Sequence, residues 1–120
     1  MNVKNPELVI VRGINSEWFE KNFSELWIGF GGSPQAIPKE DAFYVGLYLK
    51  SPVSAISHIG IVERIDRYDN GADFYLKSII KLSNSINPGH PIRKHENWTL
   101  EKLGLNAKTM ETIRKQILSL

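Results

Sequence analysis

The chain has 120 residues and a formal net charge of +2, with 42% hydrophobic and 23% charged side chains. These proportions are typical of a folded protein, and the length predicts a single domain over residues 1–120. Cysteine is absent, which excludes disulfide scaffolds, zinc fingers, iron–sulfur sites and thiol catalysis. Because no long apolar run and no secretory signal are present, we expect a cytoplasmic protein that does not bind membranes.

The charge is distributed unevenly along the chain. Residues 1–60 carry five basic and six acidic side chains, whereas residues 61–120 carry ten basic and seven acidic ones. The excess of basic over acidic side chains in residues 61–120 is too small for a non-specific DNA binder, whose affinity comes mainly from neutralising phosphates. A nucleic-acid contact would therefore need shape, stacking or a pocket in addition to charge. The same excess is also typical of an ordinary solvated surface.

The first half of the chain predicts three strands and one short helix. Asn15 or Ser16 can cap a helix that continues to Phe23, with acidic residues near its positive end. The segment 31–41 is rich in glycine and proline, which predicts a loop. The strands are predicted from short apolar, β-rich runs at residues 8–11, 26–30 and 42–50.

A long hairpin is predicted next. Residues 69–71 read Asp-Asn-Gly, and Asn-Gly tolerates positive φ at both central positions of a tight turn. The turn should connect strands at residues 59–67 and 73–82. Gly60, near the start of the first of these strands, indicates a bulge or a close approach of another chain segment.

The last part of the chain predicts an irregular segment followed by helices. Residues 83–95 are polar and interrupted by proline, so we expect no regular structure there. Thr99 can cap a short helical turn that stops at Gly104. The segment 106–120 has an apolar face at helical spacing and predicts the longest helix.

These elements favour an α+β fold. The strands are contiguous and mostly joined by hairpins, which predicts antiparallel pairing. We therefore expect a small, partly open, mostly antiparallel β-barrel with a short N-terminal helix and a C-terminal helix. A split α+β sandwich is the alternative, whereas a parallel α/β fold is not favoured because helices do not alternate with strands.

Motifs for catalysis and metal binding are absent from the sequence. There is no nucleophile elbow, Walker loop or dinucleotide fingerprint. His90 and His95 lack a third ligand at suitable spacing, and His58 is better explained as a structural histidine. We therefore expect neither a metal nor another cofactor, and we favour a protein that is not an enzyme.

The glycine loop and the aromatic residues are the most suggestive features. The loop 29–33 has two readings: it needs positive φ, or its backbone approaches a flat ligand closely. Most aromatic side chains must be core, but at least one can line a cleft and stack on a base. The aromatic residues next to the loop, or next to the break at Ser51-Pro52, are Trp27, Phe30, Tyr44, Tyr48 and Trp98.

Four segments together resemble the PUA-like superfamily, which includes the PUA, ASCH, EVE and YTH domains. They are LWIGFGG at residues 26–32, AIPKED at 36–41, FYVGLY at 43–48 and ISHIGIVERI at 56–65. The resemblance covers about residues 25–105. It implies a small β-barrel whose cleft commonly binds RNA or a modified nucleobase.

From the aromatic residues, the loop and the resemblance, we expect a nucleic-acid-binding module. It would recognise RNA, or DNA with a modified or extruded base, in a cleft beside Gly31 and Gly32. The expected base-binding pocket consists of Trp27, Gly31, Gly32, Ser33, Tyr48 and His58. The expected contacts to the nucleic-acid backbone come from Lys50, Arg64, Arg93 and Lys94.

Two alternatives remain open at this stage. The resemblance to ASCH domains implies a small-molecule amide hydrolase, for which Lys50 and Glu63 are the best available pair. The other alternative is a protein-interaction domain that forms a homodimer through its C-terminal helix. That surface would contain Ile113, Ile117 and Leu120.

Overall fold

The computed structural model describes residues 5–22, 26–105 and 107–118 and contains a six-stranded sheet with short helices. The strands are β1 Asn5–Ile14, β2 Trp27–Gly31, β3 Ala42–Leu49, β4 Ala55–Tyr68, β5 Gly71–Ile86 and β6 His95–Thr99. The helices are α1 Ser16–Asn22, α2 Leu100–Leu103 and α3 Ala107–Leu118, and a 3₁₀ turn covers Pro34–Ala36. Within the described residues, no helix is long and apolar enough to cross a bilayer.

The strand order in the sheet is β2-β5-β4-β3-β1-β6. Neighbouring strands are antiparallel except β1 and β3, which are parallel. The predicted α+β class with mostly antiparallel pairing is therefore confirmed. Within the described residues no ladder joins β2 to β6, so the sheet is open at these two edges.

Both faces of the sheet are covered by apolar side chains. Along β1, Ile10 and Ile14 belong to one buried cluster, whereas Val9 and Val11 belong to a second cluster. This alternation follows from the two-residue period of a strand. The first cluster includes Phe19 of α1, and the second is covered by α2 and α3. The long apolar strands are thus explained by burial on both sides.

Helix capping follows the predictions. The Asn15 Oδ1 accepts a hydrogen bond from the Trp18 backbone N–H at 3.0 Å, so Asn15 caps α1. Thr99 Oγ1 accepts from the Lys102 backbone N–H at 3.0 Å and caps α2. Gly104 ends α2 with a left-handed φ of 66°. The predicted helix end at Phe23 lies outside the described residues.

The β4–β5 hairpin is also confirmed, because its turn lies at residues 69–70. Gly60 is a point of close approach: a Cβ there would lie 2.7 Å from Cδ1 of Leu76. β5 includes the whole predicted strand 73–82, but it begins two residues earlier and continues to Ile86.

Two predicted boundaries are wrong for the same reason. β1 continues past Val11 to Ile14, and residues 95–99, partly within the predicted irregular segment, form β6. These residues pair with each other, with Arg12 opposite His95. Long-range pairing therefore adds strand residues that local composition does not indicate.

The two edge strands approach each other through side chains. The rings of Phe30 on β2 and His95 on β6 are in edge contact, with centroids 5.9 Å apart. Arg12 on β1 reaches the carbonyl oxygen of Gly29 on β2 at 3.5 Å. The gap between β2 and the end of β1 is consequently narrow and is bridged at one point by a guanidinium group.

Candidate functional site

Two adjoining cavities lie in the gap between β2 and the end of β1. The larger has a volume of about 610 Å³ and the smaller about 320 Å³. Arg12 borders both of them. The larger is lined by Arg12, Gly13, Ile14, Asn15, Trp18, Trp27, Ile28, Gly29 and Lys50. The smaller is lined by Arg12, Gly31, Gly32, Ser33, Ala36 and Lys94.

Two exposed tryptophans face the larger cavity, one from each wall. Trp27 of β2 is 40% exposed and Trp18 of α1 is 42% exposed. The Trp27 indole packs against the backbone of Gly29, because a Cβ at Gly29 would lie only 3.0 Å from Cζ3 of the ring. Lys50 adds a cation, and among the described residues that line the cavity none is acidic. Large aromatic surface next to cations is a combination that favours planar, anionic ligands.

The wall that carries Trp18 is held in place by backbone contacts. The Lys50 backbone N–H donates to the Ile14 carbonyl at 2.9 Å, and the Ser16 hydroxyl donates to the Lys50 carbonyl at 2.8 Å. The start of α1 is thereby attached to the end of β3. This attachment places Trp18 and Lys50 on the same side of the cavity.

Arg12 occupies an unusual position for a charged side chain. It lies on β1 between Ile10 and Ile14, on the face that forms the first apolar cluster. Its guanidinium donates to the carbonyls of Gly13 at 3.0 Å and Gly29 at 3.5 Å, and it lies 5.4 Å from the Phe30 ring centroid. Burial lowers the pKa of Arg12.

The charge of Arg12 has no acidic counterpart. Its Nε is buried without a hydrogen-bond partner, and no carboxylate of the described ranges pairs with the guanidinium. Buried arginines are normally paired, because an uncompensated charge in a protein interior is unfavourable. The cavity therefore presents a positive charge that an anion could neutralise.

His95 stands beside Arg12 on the neighbouring strand and is also incompletely paired. Its Nδ1 is buried without a hydrogen-bond partner. Burial is the main cause that lowers the pKa of His95, and the charge of Arg12 acts in the same direction. A hydrogen bond to the backbone of Ala36 opposes them. His95 is therefore neutral near pH 7 while the site is empty.

The smaller cavity combines a cation, a hydroxyl group and exposed backbone. Lys94 Nζ donates to Ser33 Oγ at 3.4 Å across its mouth. Gly32 has a φ of +92°, and a Cβ there would have nothing within 4 Å. The positive φ predicted for the glycine loop is thus present at Gly32, and no side chain obstructs its backbone.

The far end of the same loop is attached to the β4–β5 hairpin by Arg67. Its guanidinium contacts Asp41 Oδ1 at 2.7 Å and the carbonyls of Pro38 and Glu40 at 2.5 Å and 3.2 Å. These contacts hold the segment that follows the 3₁₀ turn. The loop therefore has one open stretch, near Gly32, and one fixed stretch.

Six of the predicted site residues line the two cavities. Trp27 and Lys50 line the larger cavity, and Gly31, Gly32, Ser33 and Lys94 line the smaller one. The other four predicted residues lie outside both.

Tyr48 and His58 are displaced from the predicted pocket by packing. Tyr48 is 4% exposed and belongs to the second apolar cluster, so its ring has no free face for a ligand. His58 packs against Phe19 with centroids 4.8 Å apart, and its Nδ1 lies 2.6 Å from the Ser57 hydroxyl. Burial and the charge of Lys81 lower the pKa of His58. The structural role expected for His58 agrees with this packing.

The two remaining arginines are exposed. Arg64 lies over the Tyr75 ring at 3.9 Å and is 3.6 Å from an Asp66 oxygen. Because Tyr75 is paired with both Arg64 and Trp27, the three residues form a row across β4, β5 and β2. Arg64 is therefore two strand spacings, about 10 Å, from Trp27. Arg93 is exposed in the loop before β6.

The alternatives from the sequence lose support. Lys50 follows Leu49, which pairs with Ala55 at one end of β3. Glu63 lies past the Tyr44–Ile61 pair, near the other end of β3. Roughly 20 Å of strand therefore separates Lys50 from Glu63. Ile113 is fully buried in the chain's own second cluster and cannot form a dimer contact. The side chain of Ile117, and all of Leu120, lie outside the description.

Acidic and histidine side chains do not form a metal site in the part of the chain that the structure describes. His90 Nε2 instead pairs with Glu96 at 2.7 Å, and Trp98 Nε1 donates to the same carboxylate at 3.1 Å. These contacts fix the start of β6 and leave the cavities unaffected.

Three residues of the site were missed by the sequence analysis: Arg12, Trp18 and His95. A signal for Arg12 was present, since it shares the strand parity of Ile10 and Ile14. Trp18 lay within the predicted helix that ends at Phe23, and nothing in the sequence indicated that it faces a cavity. His95 was assigned to an irregular segment, which concealed its pairing with Arg12.

No family model, curated protein or solved structure matches this chain. The two cavities and their lining residues are therefore the basis on which its function is inferred.

Proposed function

We propose that the chain is a nucleic-acid-binding module of PUA-like type that holds a single base, from RNA or from DNA with a modified or extruded base. The base occupies the larger cavity and stacks on Trp27. In this proposal the curled sheet is a partly open barrel whose opening is the gap between β2 and the end of β1. The contacts of Phe30 with His95 and of Arg12 with Gly29 support such a curvature.

The observation that carries the proposal is the Trp27 indole. It is 40% exposed on the wall of a cavity of about 610 Å³, next to Arg12 and Lys50, and the lining residues that the structure describes include no acid. A tryptophan left this exposed loses much of the stabilisation that burial would supply. Stacking on one base contributes about 1–3 kcal/mol, which is compatible with that loss.

The shape of the site favours an unpaired base over an intact duplex. The cavity is a recess between an edge strand and a helix, and its aromatic walls are reached only by a base outside a double helix. Three cations border the two cavities: Arg12, Lys50 and Lys94. Because few phosphates can be neutralised, we expect a shallow salt dependence, with a slope of log K against log salt of about −2 for a single strand.

Fluorescence anisotropy tests the proposal directly. Labelled single-stranded RNA, single-stranded DNA and duplex DNA are titrated with the protein at two salt concentrations. We expect the single strands to bind more tightly than the duplex. Trp27→Ala should weaken single-strand binding by about 5- to 100-fold, the range that corresponds to one lost stacking contact.

Leu26→Ala is the matched control. Leu26 is the neighbouring residue, is 42% exposed and does not line either cavity, so its truncation removes a similar exposed apolar group without touching the site. If the two variants lose affinity equally, or if no single strand binds at all, the proposed base pocket is wrong.

A further inference from the structure

The smaller cavity holds a charge that stacking of a base does not explain. Arg12 lies at its boundary with a buried, unpartnered Nε, and His95 on the adjacent strand has a buried, unpartnered Nδ1. The structure therefore contains two unsatisfied polar groups beside one recess.

The other groups that line the smaller cavity also favour an anion. Lys94 and Ser33 stand at the mouth of the cavity with Nζ and Oγ 3.4 Å apart, and no acidic side chain lines it in the part of the chain that the structure describes. The backbone at Gly32 is unobstructed by side chains. A recess with an arginine, a lysine, a hydroxyl group and open backbone is suited to a tetrahedral oxyanion.

We propose that the smaller cavity binds the phosphate group of the nucleotide whose base occupies the larger cavity. Arg12 donates to two phosphate oxygens through its fork of N–H groups, and Lys94 contributes a second positive charge. The inference rests on the proposed function for the identity of the ligand, because only a nucleotide joins a flat base to a phosphate. The phosphate site itself depends only on the chemistry of the smaller cavity.

The position of Arg12 selects this class of ligand over a free anion. Arg12 borders both cavities, so an anion bound to its guanidinium lies next to the space between Trp27 and Trp18. A ligand with a planar group and an attached phosphate can fill both recesses at once. A nucleoside fills one and leaves the buried nitrogen of Arg12 without a partner.

Isothermal titration with small probes tests this inference. The probes are adenosine, adenosine 5′-monophosphate, adenosine 3′-monophosphate and inorganic phosphate. We expect at least one monophosphate to bind about tenfold more tightly than adenosine, the difference expected for charge-assisted hydrogen bonds to one phosphate. The two monophosphates show which side of the sugar faces Arg12.

Substitutions test whether the preference for the monophosphate arises in the smaller cavity. Arg12→Gln and Lys94→Gln should each reduce the preference for the monophosphate to less than about threefold. Lys94→Gln, which lies outside the larger cavity, should in addition leave adenosine binding within about twofold of wild type. Lys39→Gln is the control, because Lys39 is exposed, carries the same charge and lies outside both cavities. Lys94 is also exposed, so its substitution keeps the test valid if Arg12→Gln does not fold.

The two proposals fail in different ways. If adenosine and both monophosphates bind equally, the phosphate site is refuted while the base pocket stands. If inorganic phosphate binds and Arg12→Gln abolishes this binding, but adenosine does not bind, the phosphate site stands and the base pocket is refuted. Equal loss of monophosphate preference in Lys39→Gln also overturns the inference, since the effect would then be one of net charge.

Discussion

Arg12 and His95 face each other across the β1–β6 ladder, and each has a buried ring or guanidinium nitrogen without a hydrogen-bond partner. The pair lies where the two open edges of the sheet approach, next to Phe30. Two unpaired basic groups at one position are unfavourable for the fold, and a bound anion offsets this cost. The predictions below for Arg12→Met and for the effect of phosphate follow from this relationship.

Arg12→Met should not reduce the free energy of unfolding, and an increase of up to about 1 kcal/mol is expected. The substitution replaces a half-buried charge, which has no acidic partner among the described side chains, by an apolar side chain of similar length between Ile10 and Ile14. Urea denaturation measures the change. The same variant should lose the preference for nucleoside monophosphates. A large loss of stability would instead mean that the hydrogen bonds from Arg12 to the carbonyls of Gly13 and Gly29 stabilise the fold.

Acidification should destabilise the folded protein. The pKa values of His58 and His95 are both lowered from 6.5, so the unfolded chain binds more protons than the folded one just below pH 6.5. Stability therefore falls as the pH drops through the unfolded pKa, and the loss is complete below the folded pKa values. Urea denaturation between about pH 5 and 8 measures this slope.

Phosphate should reduce the part of this slope that comes from His95. A bound dianion favours the imidazolium form and offsets the effects of burial and Arg12 on that ring. His58 packs on Phe19 and faces Lys81, away from the cavities, so its contribution should remain. Comparing His95→Gln with His58→Gln, each with and without phosphate, separates the two. If His95→Gln responds to phosphate as wild type does, His95 does not face the anion.

Gly29→Ala should weaken single-strand binding several-fold while leaving the fold intact. A Cβ at this position would be 3.0 Å from Cζ3 of Trp27 and 3.4 Å from Asp73 Oδ1, so the exposed indole must move. Alanine in a strand is otherwise more favourable than glycine by about 0.5–1 kcal/mol. In the double variant with Trp27→Ala, the effect of Gly29→Ala on binding should disappear. Additive effects would show that Gly29 acts independently of the indole.

Tyr48→Ala should destabilise the protein by about 3 kcal/mol or more, whereas Trp27→Ala should change stability by about 1 kcal/mol or less. Tyr48 is 4% exposed and packs in the second cluster, so its truncation leaves a cavity. Trp27 is 40% exposed and loses less burial. Thermal and urea denaturation compare the two. Equal effects would contradict the assignment of one ring to the core and the other to the site.

Local signals were sufficient where structure is decided by neighbouring residues. Asn15 or Ser16, and Thr99, were predicted as helix caps, and residues 69–71 as a hairpin turn, because side-chain hydrogen bonds and positive φ act within a few residues. The alternation that places Val9 and Ile10 on opposite faces is also local. From these local features, the α+β class and most strands of the sheet could be predicted.

The site itself was only partly predictable, because its geometry depends on residues far apart in the chain. The alternation of β3 places Tyr44 and Tyr48 on one face, but it does not show that this face is covered by the C-terminal helices. The predicted first strand ended at Val11, before Arg12, because the apolar run ends there. Only the proximity of β2 and β6 makes the position of Arg12 a boundary between two cavities.

The insertion of β1 between β3 and β6 has a consequence for how the molecule assembles. Val9 pairs with Tyr44 on β3 and with Trp98 on β6. The pairing of β1 is therefore complete only when nearly the whole described chain is present. Contacts between such remote segments slow folding, because the chain must close large loops before they form. Since Arg12 lies on that same segment, the two recesses arise in the final stage of folding, and binding competence should develop together with the last increase in native signal.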